Sequence, residues 1–288
     1  MKNSAAITRK KKPGAPRSRA PRGVSLPAGW KLEKARGAQV LVAAPLARER
    51  RLVHGFSTRQ GGKSRLDDAP ALNLGYTDWD TRPAVDANRR AFQAALGAGD
   101  ATLVTLRQIH SDTIYRLDAK PSEAPRGDAM ITRTPGLLLA VQTADCVPVL
   151  LADRRRMAIA AIHAGWRGTL ARIVAKTVGR MRMEFGSNPA DIIAAIGPAI
   201  GQCSFEVGPE VAQAFAGQFP EARGWFEGPF DLLASGEEPN PFKWLSMVPP
   251  GHDPPPPRVQ LDLIAANRWQ LADAGVPENQ ITAVNLCT

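Results

Sequence analysis

Apolar and polar positions divide the chain into short buried runs separated by a few amphipathic stretches. Gln39–Ala44 and Leu52–Phe56 read as short strands. Residues 57–82 are polar and glycine-containing and read as one long loop carrying Arg59, Gly61, Gly62 and Asn73. A helix is predicted from Pro83 to about Leu96, because proline suits the first helical turn and Val85, Phe92 and Leu96 share a face. Gly97 and Gly99 stop it. Three apolar, strand-like runs follow at 102–109, 136–143 and 147–162, the last interrupted by the basic turn Asp153–Arg156. From Gly168 to Phe185, Leu170, Ile173, Val174, Thr177, Val178, Met181 and Phe185 recur at helical spacing, with Gly186 as the stop.

Further along, Asp191–Ile196 reads as a strand and Pro209–Phe219 as a helix. Residues 220–258, rich in proline, glycine and aromatics, read as an irregular excursion in which His252 is solvated. A helix over Asp262–Ala274 and a strand over Ile281–Leu286 complete the pattern. No internal repeat appears, and strands outnumber helices without regular alternation. The fold class expected is α+β, one domain with a mixed β-sheet core flanked by helices.

At 288 residues, 44% hydrophobic and 22% charged, the composition is that of an ordinary globular protein. No apolar run approaches the ~20 residues of a membrane helix, and no secretory segment follows the N-terminus. Three widely spaced cysteines do not make a disulfide framework, so a reducing, cytoplasmic setting is expected. The net charge of +10 suggests nucleic acid, but eight basic residues and no acid fall within residues 1–22, leaving about +2 for the rest. Residues 1–30 are therefore expected as a disordered basic arm, and 31–288 as the catalytic domain. Without an aromatic platform or recognition motif, the arm supports only weak phosphate contacts.

The candidate chemistry lies at the ends of the apolar runs. His110, Cys146 and His163 are each expected to close a strand and so to share a sheet rim. Two imidazoles and a thiolate are zinc ligands, and three protein ligands leave a position open for water or substrate. Asp145 and the glycine-rich stretch with Gly165, Arg167 and Gly168 are unusual neighbours for ordinary packing. Ala164–Gly168 is expected to face a helix N-terminus, which favours anions, and Arg167 adds a bidentate grip.

These residues carry a family likeness. His54-Gly-Phe-Ser-Thr-Arg59, Gly61-Gly62, Leu72-Asn-Leu-Gly75, Gln108-Ile-His110, Thr143-Ala-Asp-Cys-Val-Pro148, His163-Ala-Gly-Trp-Arg-Gly168, Gly197-Pro-Ala-Ile-Gly201, Phe205-Glu-Val-Gly208 and Cys287-Thr288 occur in the order seen in the YfiH/laccase-domain family of polyphenol oxidase-type proteins, which the chain resembles from about residue 50 onward. The resemblance implies a single α+β domain and one metal, usually zinc, at His110, Cys146 and His163. It implies purine nucleosides and phosphate as substrates, through phosphorolysis of adenosine, inosine, guanosine and methylthioadenosine, together with adenosine deamination. Family members continue past the Cys-Thr pair into residues that line the pocket, so the C-terminal segment is expected to be truncated here.

With four histidines in the whole chain, a multicopper centre of roughly ten imidazoles is excluded, and one mononuclear site is the ceiling. Zinc is preferred, and Cu(II) can displace it by the usual affinity order. Asp145 is the candidate either to move protons in deamination or to support a ligand histidine. Arg59 and Arg167 are the candidate phosphate clamps, and His54, Asn73 and Gln108 candidate substrate contacts. Cys203 and Cys287 are expected to be inert. The competing readings are a metal-free hydrolase or deamidase using Cys146 with His163 or His110, a copper-loaded polyphenol oxidase, and an RNA- or nucleotide-associated binding module acting through the arm.

Overall fold

The computed structural model of the chain describes residues 26–231 and 258–288. Most of the expected arm, the run of prolines and His252 lie outside these residues. Trp30, placed in the arm by the sequence pattern, is instead buried and opens the first strand.

An antiparallel sheet starts the fold, with β1 (Trp30–Ala35), β2 (Ala38–Ala43), β3 (Phe56–Leu66) and β4 (Ala69–Ala71) in that order. Much of the loop expected over 57–82 is therefore strand, while Leu52–Phe56 contributes only Phe56. The polar–apolar alternation is missing because both faces of β3 are partly solvated. Gly61 and Gly62, at φ +94° and +81°, lie where the pairing register shifts between Gln60 and Ser64. A Cβ on Gly61 would come within 2.0 Å of the Gly37 carbonyl oxygen, so only glycine lets the strands approach.

Between β2 and β3 lie α1 (Ala44–Ala47) and His54. The His54 Nε2 accepts the Ala43 N–H at 3.0 Å. Helix α2 (Arg82–Ala95) begins where predicted, capped by the Thr81 side chain. Its buried Asn88 accepts the Lys63 N–H and donates to Ser64 Oγ and the Asn73 carbonyl, tying the helix to β3.

The main sheet uses β6 (Ile114–Arg116), β7 (Ala129–Thr132), β9 (Val147–Asp153), β10 (Ala158–Ala164), β11 (Ile192–Ile196) and β15 (Ile281–Ala283), in the order β15-β11-β9-β10-β7-β6. The pairs β11–β15 and β6–β7 are parallel and the rest antiparallel, so the sheet is mixed as expected. The parallel pair β5 (Thr102–Thr105) and β8 (Leu137–Ala140) stands beside it. The predicted runs at 102–109 and 136–143 thus yield shorter strands, and 147–162 becomes the β9–β10 hairpin.

The helix predicted over 168–185 is two helices, α3 (Trp166–Leu170) and α4 (Ile173–Phe185). Arg172, at φ +62°, breaks them apart, although its neighbours keep the apolar spacing. Ile173, Val174, Val178, Met181 and Phe185 of α4 belong to the principal core with Val149, Leu151 and Ile162 of the sheet. A small sheet of β12 (Glu206–Val207), β13 (Phe226–Glu227) and β14 (Val259–Leu261) pairs both ends of the expected 220–258 excursion. It is accompanied by α5 (Pro209–Gln218) and α6 (Leu263–Asp273). Among the described residues no helix is long and apolar enough to cross a membrane.

Burial lowers the His54 pKa from 6.5 to about 4. The unfolded chain takes up a proton below pH 6.5 that the folded chain refuses until about pH 4. Stability is therefore whole above pH 6.5 and lost as the pH falls through that window. Urea denaturation should show about 2 kcal/mol of loss between pH 7.5 and 5 from this residue. His54→Gln, which retains an acceptor without titrating, should remove that share of the slope; an unchanged slope would refute it.

Candidate metal centre

The β9–β10 hairpin brings two of the three donors together. Its register sets Pro148 opposite His163 and Val147 opposite Ala164. Cys146, immediately before β9, therefore arrives beside His163 inside β10. Cys146 precedes its strand and does not close one, as the sequence pattern had suggested, and His110 stands in the loop between β5 and β6. What unites the three is the antiparallel pairing and one carboxylate.

That carboxylate is Asp128, fully buried just before β7. Its oxygens accept the backbone N–H groups of Ile109, His110 and Ser111, and the Ser111 hydroxyl. Oδ1 also lies 2.8 Å from His163 Nδ1, while the His163 N–H donates to the Asp128 carbonyl at 2.8 Å. Three successive N–H groups folded around one carboxylate form a nest, and they hold His110 at φ +57°, a conformation disfavoured for this residue. Burial pushes the Asp128 carboxyl up. The bonds from Ser111, His163 and Ile109 outweigh it and hold the group below the ordinary carboxylate range.

An Asp128 carboxylate facing Nδ1 fixes His163 as the tautomer with Nε2 unprotonated. Burial lowers the His163 pKa, against the pull of Asp128 and with help from His110, so the ring is neutral at pH 7. Neutral imidazole is the form that binds metal. The rings of His110 and His163 meet edge to face, with centroids 4.9 Å apart. Cys146 Sγ lies 3.9 Å from His110 Nε2, and one donor atom from each of the three residues falls within 4.8 Å of the others. Around a tetrahedral zinc, ligand atoms stand roughly 3.3–3.8 Å apart, so the set fits one ion after a contraction of about 1 Å. Burial, then the charges of Asp145 and Asp128, raise the Cys146 thiol. A cation would reverse that and release its proton.

Gly165 makes the convergence possible. A Cβ there would lie 3.0 Å from Cys146 Sγ and 3.1 Å from His110 Cδ2. Gly168 similarly leaves room for the Ser111 carbonyl, 3.1 Å from where its Cβ would be. Helix α3 starts at Trp166, earlier than predicted, with Gly165 as its N-cap, and Arg167 lies exposed over the Trp166 ring at 4.3 Å.

Other predicted residues are placed differently. Asp145 is exposed and accepts the Thr288 hydroxyl at 3.0 Å. The role of orienting a ligand histidine, one of two considered for Asp145, belongs to Asp128. Gln108 spends both ends of its amide on the backbone of Gln142, at 2.7 and 2.8 Å. Asn73 donates to Asp80 and accepts the Gly75 N–H. These two residues brace loops. His54 and Arg59 line a cleft of about 1730 Å³ between the first sheet with α2 and the back of the main sheet. Asn73, Gln142 and Thr143 add polar groups to it, and its wall reaches Ala144, two residues before Cys146; Arg167 and the three donors are not on its wall. Asp128 was missed by sequence reasoning. Its one signal is a charged residue abutting the fully buried run Ala129–Thr132.

An α+β domain with a two-histidine, one-cysteine centre defines the class of protein. A family model described as multi-copper polyphenol oxidoreductase laccase matches residues 53–288, and the chain belongs to that family. It is 37% identical to a purine nucleoside phosphorylase of Bacteroides thetaiotaomicron, over 82% of this chain and 81% of that protein. It is 43% identical to one of Deinococcus radiodurans, over 77% and 75% respectively. Among solved structures it is similar to the YfiH protein of Bacillus licheniformis, with TM-score 0.73 and 28% identity, covering 90% of this chain and 89% of that one. YlmD of Geobacillus stearothermophilus gives TM-score 0.69 and 31% identity, covering 91% and 89%.

Two substitutions test the geometry. Asp128→Asn should weaken the affinity for added zinc by about 10–100-fold in a chelator competition assay, and Asp128→Ala should also lower stability by about 3 kcal/mol. Gly165→Ala should leave the circular dichroism spectrum unchanged while the protein fails to retain the ion. Native affinity in both would refute the assigned roles.

Proposed function

We propose that this chain is a zinc-dependent purine nucleoside phosphorylase that also deaminates adenosine at the same site. The observation that carries the reading is the convergence of His110, Cys146 and His163 beside the cleft. The names of the relatives from Bacteroides thetaiotaomicron and Deinococcus radiodurans supply the substrate class. The donor set suits zinc, with Cu(II) as the competitor expected from the affinity order. When bound, the ion supplies Lewis acidity and draws the pKa of water toward about 7.

The chain's own residues then have distinct tasks. Asp128 orients His163 and the His110 loop. Arg59, exposed on the cleft wall, holds phosphate next to the ribose, with Arg167 as a second cation outside that wall. In phosphorolysis a phosphate oxygen bonds C1′ as the glycosidic C–N bond breaks, and the departing base takes a proton. Asp145, exposed beside Cys146, is the carboxylate assigned to move that proton and the protons of deamination. The chain's four histidines leave the multicopper chemistry in the family's description without enough ligands. The raised Cys146 thiol weighs against a metal-free cysteine nucleophile. A cytoplasmic setting is part of the same reading.

Elemental analysis should find about one zinc per chain, and adenosine with phosphate should yield adenine and ribose 1-phosphate. Cys146→Ser should lose metal and turnover together while staying folded. Turnover that survives a strong chelator but not a thiol alkylator would replace the zinc reading with the cysteine hydrolase. Deleting residues 1–22 should leave turnover within about twofold; collapse of nucleic-acid binding with intact turnover would assign the arm its own role. For Arg59→Ala, the KM for phosphate should rise at least tenfold, a loss of about 1.4 kcal/mol.

A further inference from the structure

The two cysteines outside the donor triad, expected to be inert, are brought together by the fold. Cys203 lies in the short 3-10 turn Gln202–Ser204 that follows β11, and Cys287 follows β15. The two segments run side by side through the Ala199–Cys287 bridge, with the Ala199 N–H on the Leu286 carbonyl and the Thr288 N–H on the Ala199 carbonyl, both at 3.2 Å. The Ser204 hydroxyl oxygen lies 3.5 Å from each sulfur, so the sulfurs are within twice that distance of one another. A Cβ on Gly201 would lie 3.3 Å from Cys287 Sγ and 3.5 Å from Cys203 Sγ, which shows that the glycine leaves both sulfurs one shared space. Both thiols are exposed.

We propose that Cys203 and Cys287 form a reversible disulfide, which makes this surface a redox-modification site distinct from the metal centre. Cys287 is the attacking sulfur. The Ser204 hydroxyl and the Gly201 N–H, which donates to its sulfur at 3.2 Å, outweigh burial and favour its thiolate, and Cys203 adds to them. The oxidant is a low-molecular-weight disulfide. The Cys287 thiolate bonds one of its sulfurs and expels the other half as a thiolate. Cys203, losing its proton to solvent, then attacks Cys287 Sγ and expels the second half. Two protein thiols are oxidised and one small disulfide is reduced to two thiols. Gly201, without a Cβ, leaves open the space beside both exposed sulfurs in which the bond would form.

The inference does not depend on the proposed activity, because neither cysteine is in the donor triad. The test is to incubate the full chain with oxidised glutathione, alkylate it with N-ethylmaleimide under denaturing conditions, and map the peptides by mass spectrometry. The expected product is a Cys203–Cys287 cross-linked pair with Cys146 alkylated, and dithiothreitol should restore alkylation of all three cysteines. Cys203→Ser should stop at a mixed disulfide of glutathione with Cys287. The cross-linked form should melt several degrees higher than the reduced form, because the bond closes a long loop. Wild-type protein that stops at the mixed disulfide, stays fully alkylatable, or links either residue to Cys146 would overturn the proposal.

Discussion

One buried carboxylate organises the centre of this protein. Asp128 faces His163 on one side and three consecutive backbone N–H groups of the His110 loop on the other. A buried charge is costly unless it is saturated with partners, so the arrangement is nearly all or nothing. Either the loop folds around the carboxylate and delivers His110 to His163, or the charge is left without partners in the interior. The strained backbone of His110 is held by the same bonds.

Around that hub the sheet supplies rigidity. His163 and Cys146 are carried by adjacent antiparallel strands whose register cannot slip by one residue without turning His163 to the opposite face. Gly165 then lets the start of α3 close over the donors, and Gly168 over the Ser111 carbonyl, at distances that a side chain would crowd. The opposite side is built differently. Arg59 stands on β3 and His54 in the connection before it, across a large cleft, and their positions depend on how the first sheet and α2 pack against the core. The donor triad and the cleft are therefore set by separate parts of the fold.

Legibility in the sequence follows the same division. The α2 and α4 helices were readable because burial of one face imposes a period on the residues, and the inner strands because burial on both faces makes them continuous apolar runs. Strand β3 was not, because a strand solvated on both faces has no such constraint, and its glycines resemble those of a loop. The break at Arg172 was hidden by apolar spacing that continues through it. Asn73 and Gln108 have side chains suited equally to binding a base or bracing a backbone, and only their neighbours in space decide which.

The sequence by itself determined the types of donor available, two imidazoles and one thiol at the ends of apolar runs, and it determined the α+β class through its uneven periodicity. Tertiary structure alone decided which carboxylate orients the histidine, where the donors meet, and that Cys203 and Cys287 are neighbours. The reason is physical. Donor type is a property of one residue, whereas a saturated buried charge and a pair of adjacent sulfurs are properties of segments far apart in the chain, and only packing brings those segments together.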